Sequence, residues 1–132
     1  MNVLVDTSVW SLTLRRRQEA PVAKALLFRQ ILESGQPIFL LGVILQELLQ
    51  GLRDQVQLNA IKRKLEPFPL ISLSRHDYEY AAQVHLLCRK NGVQTTTIDC
   101  LIASAAIAND MKLLTADEDF THMSKFCKLE LL

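Results

Sequence analysis

The sequence predicts an α/β domain with a short-stranded, mainly parallel sheet flanked by helices on both faces. Three observations predict it. Short apolar runs alternate along the chain with longer stretches of helical periodicity, the order expected of parallel strands joined by right-handed crossovers. Turn and cap residues punctuate those runs. No linker, low-complexity segment or internal repeat interrupts the pattern, so residues 1–132 read as a single domain long enough to bury a core.

Asn2–Val5 reads as a strand, cut short by the polar Asp6-Thr7-Ser8. A short helix follows through Trp10 and Leu14 and ends near Arg15-Arg16-Arg17. Pro21 suits a first helical turn, and Val22, Ala25, Leu26, Phe28 and Leu32 carry an apolar stripe to Ser34-Gly35, a C-terminal cap. Pro37–Leu41 is the second strand and Gly42 breaks it. Ile44, Leu45, Leu48, Leu49 and Leu52 define the next amphipathic helix. Gln57–Leu65 gives another, stopped by Glu66-Pro67-Phe68-Pro69, and Leu70–Leu73 is a short strand. Ser74 caps a helix over Arg75–Asn91, closed by Asn91-Gly92. Thr96 or Thr97 caps a helix running to Asn109, whose alanines allow close approach to a sheet. Lys112–Thr115 is a strand, Asp117–Ser124 a turn or two of helix, and Lys128–Leu131 a final strand.

Composition narrows the class. With 49% hydrophobic and 22% charged residues the chain is an ordinary globular protein rather than a disordered one. The net charge is only +1, so any attraction for nucleic acid has to be local. The opening residues lack the basic and apolar regions of a secretory signal. No apolar run approaches the ~20 residues needed to span a bilayer, so no membrane association is expected. Cys88, Cys100 and Cys127 are widely spaced and odd in number, which reads as reduced core thiols in a cytoplasmic protein. Three histidines without ligand spacing argue against zinc.

Four acidic positions carry the chemical information. Asp6 and Asp117 each follow an apolar strand run, and Glu47 and Asp99 lie near the starts of helical patterns. Ligands of parallel sheets collect beyond the carboxyl ends of the strands, where such carboxylates can meet. Like charges about 6 Å apart repel by roughly 3 kcal/mol per pair at an effective dielectric of about 20. Protons or hard divalent cations must offset that, and oxygen-only ligands point to Mg²⁺ or Mn²⁺. Each acid also fits a local role. Asp6, or Ser8, can cap the first helix, and Asp117 the last. Thr96-Thr97-Ile98-Asp99 matches a capping box, and Glu47 borders an apolar stripe where charges usually face solvent. Periodicity alone leaves the shared site and the local roles level.

The motifs around these acids resemble those of PIN-domain ribonucleases, specifically the VapC-type toxins of bacterial toxin–antitoxin pairs. Val5-Asp6-Thr7-Ser8-Val9-Trp10 resembles the first motif, and Glu47 in Ile44-Leu45-Gln46-Glu47-Leu48 the second acidic position. Thr97-Ile98-Asp99-Cys100, opening an alanine-rich helix, resembles the third. Leu113-Leu114-Thr115-Ala116-Asp117-Glu118-Asp119-Phe120 resembles the fourth. All four run in the family's order over residues 3 to 120. The resemblance implies a PIN-like fold and a metal-dependent endoribonuclease with Asp6, Glu47, Asp99 and Asp117 converging at one sheet edge.

On that reading Asp6 and Asp99 are the principal metal ligands, and Glu47 and Asp117 complete the site, hold a second ion or orient water. Thr7, Ser8 and Thr115 are candidates to hydrogen-bond the ligands, and Asp119 competes with Asp117 for the fourth acidic place. Arg15, Arg16 and Arg17 are candidate RNA contacts, level with a solvated loop. Lys62-Arg63-Lys64 and Arg89-Lys90 read as solvated helix faces. The resemblance also implies a homodimer and a small cognate antitoxin. Two other classes compete: a receiver-like Mg²⁺-binding phosphoacceptor module, and a non-catalytic RNA-binding scaffold. The receiver expects an adjacent acidic pair after the first strand, whereas Asp6 stands alone.

Overall fold

The computed structural model describes residues 1–14 and 23–132. Arg15, Arg16, Arg17, Pro21 and Val22 lie outside the described residues. The elements run β1 (Val3–Val5), α1 (Thr7–Leu14), α2 (Ala23–Glu33), β2 (Ile38–Leu41), α3 (Gly42–Gln50), α4 (Gln55–Leu65), β3 (Leu70–Ile71), α5 (Arg75–Lys90), α6 (Thr97–Ala108), β4 (Lys112–Leu114) and α7 (Glu118–Ser124). The four strands form one parallel sheet in the order β3-β2-β1-β4. Val3, Leu4 and Val5 of β1 are all fully buried. Successive strand side chains point to opposite faces, so helices cover the sheet on both sides, as expected.

The strand order fixes where a ligand fits. From β1 the chain winds to β2 and β3 on one side, then crosses back to place β4 on the other. The crevice between β1 and β4 is therefore the point where the winding reverses, and it opens at the strands' carboxyl ends. There Val5 pairs with Leu114, and the Asp6 N–H donates to the Leu114 carbonyl at 2.9 Å. Asp6 and Thr115 thus leave adjacent strands side by side.

Two strands are shorter than the sequence pattern. The run Leu70–Leu73 pairs only through Ile71, because its partner β2 ends at Leu41, opposite Ile71, and turns into α3. Lys128–Leu131 is no strand but a single parallel bridge from Leu131 to Leu113. β4 has three residues, and its outer edge there offers only the Leu113 N–H and carbonyl, which bond Glu130 and Leu132. Asp117 caps the last helix rather than opening it. Asn91-Gly92 closes α5 as expected: Gly92 takes φ +77°, and the Gly92 and Val93 N–H groups donate to the Arg89 and Cys88 carbonyls. Cys88 and Cys100 are buried, no disulfide joins any described cysteine, and burial pushes all three thiols up. No helix of the described residues is long and apolar enough to cross a membrane.

Helix α1 carries two residues of the crevice, so its seating matters. Its buried Trp10 meets Phe28 of α2 and Phe68 edge-to-face, with ring centroids 4.8 and 5.1 Å away. Phe28 is fully buried. Phe28→Ala is expected to cost about 3–5 kcal/mol, a large share of the ~5–15 kcal/mol typical of a domain. Urea unfolding of the purified variant checks it, and a loss below ~1 kcal/mol would show that α1 is seated by something else.

Candidate active site

Asp6 is the one buried acid among the described residues, only 6% exposed. A carboxylate there needs donors, since an unpaired buried charge is strongly disfavoured. The Thr115 hydroxyl donates to Asp6 Oδ2 at 2.8 Å and the Ser8 hydroxyl to the same oxygen at 2.9 Å. Each hydroxyl has one proton, and both are spent on Asp6, so the 3.4 Å approach between the two oxygens is a contact rather than a third bond. As acceptors they hold the other strand end: Ala116 N–H donates to Ser8 Oγ and Asp117 N–H to Thr115 Oγ1, both at 3.0 Å. Among the described residues none bonds Asp6 Oδ1.

Glu47 sits half-buried on α3, and the Thr7 hydroxyl donates to its Oε1 at 2.9 Å. Thr7 therefore serves Glu47, while Ser8 and Thr115 serve Asp6, so all three candidate hydroxyls bond one of the acids. A shallow hollow of about 170 Å³ adjoins Glu47, walled by Ser11, Leu14, Leu48, Leu52 and Ile61.

Asp99 opens α6, where the Thr96 hydroxyl accepts its backbone N–H at 3.1 Å. Burial pushes the Asp99 carboxyl above the usual carboxylate range. Hydrogen bonds from the Thr96 side chain and backbone pull it down, and the charges of Asp117 and Asp119 push it up again. Asp99 is thus within electrostatic reach of both acids of the fourth motif. Asp117 caps α7 by accepting the Asp119 N–H on Oδ1 at 2.9 Å. Asp117 and Asp119 are both exposed.

The acids therefore form a linked series along one edge, from Glu47 through Thr7, Asp6 and Thr115 to Asp117 and Asp99. They do not close into a cage. Among the described residues no group of three or more carboxylate, histidine or cysteine side chains could hold a metal ion. The donor set still suits a hard cation. It is all oxygen, and Mg²⁺ takes one or two protein carboxylates while keeping waters and substrate phosphate as its other ligands. Thr96 was legible from the Thr-x-x-Asp spacing. The Thr7–Glu47 pair was not, because forty positions separate the partners and periodicity says nothing about them. The receiver expectation finds no support, since the strands flanking β1 on that side end at Leu41 and Ile71 rather than at an acid.

The family model for the PIN domain matches residues 3–126. Over 130 residues, 97% of this chain, the sequence is 26% identical to ribonuclease VapC11 of Mycobacterium tuberculosis and to a VapC ribonuclease of Mycobacterium bovis, covering 96% of each. Among solved structures, VapBC2 from Rickettsia felis, bound to a DNA fragment from its promoter, matches with a TM-score of 0.80 at 19% identity. That match covers 100% of this chain and 98% of the other. FitAcB from Neisseria gonorrhoeae gives 0.73 at 21% identity, over 98% and 96%. At such identities the structural matches speak to fold.

Two outcomes follow from this geometry. Thr115→Val keeps the shape but removes a donor from buried Asp6 and an acceptor from Asp117 N–H, so it is expected to cost about 1–3 kcal/mol; denaturant unfolding measures it. Asp99, with its carboxyl raised on folding, favours the folded state fully below the unfolded value of 3.8 and loses that contribution as pH rises through the raised value. Without added metal, Asp99→Asn should therefore melt at or above the wild-type temperature near pH 7, the gap narrowing toward pH 4. A variant markedly less stable at pH 7 would make Asp99 a cap and nothing more.

Proposed function

The chain belongs to the PIN domain family, and from that premise we propose that it is a divalent-metal-dependent endoribonuclease, the toxin of a toxin–antitoxin pair. One observation carries the reading: a buried Asp6, fixed by two hydroxyls at the winding reversal of the sheet, heads a linked series of acids along that edge. The ribonuclease names of relatives aligned over nearly the whole chain support it.

In this proposal Asp6 and Asp99 hold Mg²⁺ or Mn²⁺, with Glu47 and Asp117 beside them. The ion, when bound, neutralises phosphate charge and activates water for hydrolysis of a phosphodiester. The chain's own side chains do the rest. Ser8 and Thr115 keep Asp6 Oδ2 occupied, so Oδ1 is the oxygen that no described residue bonds and that would be left for the ion. Thr7 fixes one oxygen of Glu47 and leaves the other to orient a water. Asp99, raised by burial and then by its acidic neighbours, would gain from an arriving cation. Asp117 contributes its second oxygen, the first being spent on the cap.

A small antitoxin is the proposed partner, with its apolar side chains in the hollow beside Glu47 and a cationic one against the carboxylates, where it would displace metal. The proposal includes a homodimer, as for VapC-type proteins.

Asp6→Asn and Asp99→Asn should each lower Mg²⁺- or Mn²⁺-dependent cleavage of single-stranded RNA at least about a hundredfold, or ~2.7 kcal/mol of barrier, with unchanged circular dichroism. Induced alone in bacteria, the wild-type chain should arrest growth and the Asp6→Asn chain should not. Equal arrest by both would place toxicity elsewhere. Asp117→Asn compared with Asp119→Asn tells which acid of the fourth motif serves the ion.

A further inference from the structure

The turn after α7 stands between two hollows that continue the acidic edge. One, about 300 Å³, is lined by Asp119, His122, Lys125 and Phe126, with Gly92 and Val93 from the turn that closes α5. The other, about 600 Å³, lies between α5 and the same turn and is lined by Tyr80, Val84, Leu87, Lys125, Phe126 and Lys128. Lys125 and Phe126 line both, so the hollows are two steps of one groove. Asp119, whose charge acts on Asp99, stands at its first step.

Phe126 is 37% exposed, yet it is not on a loose tail. The Phe126 and Cys127 N–H groups donate to the Met123 carbonyl at 3.0 and 3.2 Å, and Met123 and Phe120 of α7 are buried in the core. A single exposed ring needs no explanation by itself. This one is held on a ridge with a concavity on either side and an ammonium at each flank in sequence. The second hollow has no acidic lining residue. Arg89 and Lys90, which the sequence pattern assigned to a solvated helix face, stand just before Gly92 at the end of α5.

We propose that this groove is a subsite for single-stranded RNA, a base stacking on Phe126 while adjacent phosphates lie against Lys125 and Lys128. The inference deepens the ribonuclease reading and rests on it. Alternating cations with an aromatic face is what single-stranded recognition requires, because every base offers a stacking surface and every linkage a charge. Continuity with Asp119 places the subsite beside the acidic edge. The strand enters or leaves the reaction centre over α7.

The test uses the full chain carrying Asp6→Asn, so that RNA is bound without being cut, and a fluorescein-labelled single-stranded RNA dodecamer of mixed sequence with Mg²⁺. Anisotropy should show Phe126→Ala weakening binding about 5- to 150-fold, the range of one lost stacking contact. In the Phe126→Trp protein binding should persist, and RNA should quench the exposed indole while Trp10, 3% exposed, stays silent. Removing Lys125 and Lys128 together (each to Ala) should lower the slope of log Kd against log salt by about 1.4, at ~0.7 per phosphate contact. A merely structural role for the lysines would leave that slope unchanged.

Unaltered affinity and slope in these variants, while the chain with Asp6 intact cleaves the same RNA, would overturn the subsite and spare the ribonuclease reading. A wild-type chain that does not cleave this RNA, with an Asp6→Asn chain that does not bind it, would overturn both. If sedimentation shows Phe126→Ala converting a dimer to a monomer with RNA affinity unchanged, the ridge is a contact between copies and the subsite is refuted.

Discussion

A carboxylate buried where two parallel strands diverge sets the terms for everything around it. Asp6 cannot leave the crevice, because its backbone N–H closes the ladder between β1 and β4. Nor can it keep a charge there without donors, since it is almost wholly buried. The two hydroxyls that supply them come from opposite directions, Ser8 from the first turn of α1 and Thr115 from the end of β4. Their acceptor sides then grip Ala116 and Asp117. One acid thus dictates the pairing of Val5 with Leu114, the entry angle of α1 and the course of the chain into α7. The seating of Trp10 between Phe28 and Phe68 follows as the anchor that keeps Ser8 in reach.

The same hydroxyls keep the acids from colliding. Four carboxylates drawn to one point would repel by several kcal/mol at the effective dielectric of a protein surface, about 20. Here three are tethered to separate neutral groups, Glu47 to Thr7, Asp6 to Ser8 and Thr115, Asp117 to the Asp119 amide, and Asp99 is held by its backbone N–H on Thr96. Residual strain concentrates at Asp99, the acid whose carboxyl is pushed up by burial and by two exposed neighbours. A site so arranged is stable without a cation and has something to gain from one. It also explains why no ready-made cage exists among the described residues: an ion bound mainly through water and phosphate needs anchoring points, not enclosure.

Much of this was legible in the chain, and the limits have physical causes. The alternation of apolar runs and helical stripes located every helix to within a few residues, since burial on one face imposes its period locally. Asp6 and Thr115 were marked by their places at strand ends. The Lys128–Leu131 strand was over-read because alternation records which side chains face the core, and Leu129 does, but not whether a partner strand is long enough to pair. Which acid Thr7 serves is not legible for a related reason. Its neighbour in sequence is Asp6, its neighbour in space is Glu47, and only the packing of α1 on α3 decides between them. The groove at Phe126 was beyond reach altogether, being made by Tyr80 and Lys128 on segments that no pattern joins.

The rivalry between local and catalytic roles for the acids dissolves on the same grounds. A helix start presents unpaired N–H groups and a partial positive charge, so it stabilises an acceptor there whatever else that acceptor does. Asp117 gives one oxygen to the Asp119 amide, and its charge still reaches Asp99. Asp99 lends its backbone N–H to Thr96, and its carboxyl still feels the charges of the fourth motif. In a sheet wound this way, the helices that follow β1, β2 and β4 begin at the carboxyl edge, so residues suited to cap them stand beside the crevice. Capping places the carboxylate and steadies it, and in the proposed function the oxygens it does not use are the ones that would meet a cation. The cap is the means by which a two-carbon side chain on a helix start is held at a fixed position, and a fixed position is what a cation site needs.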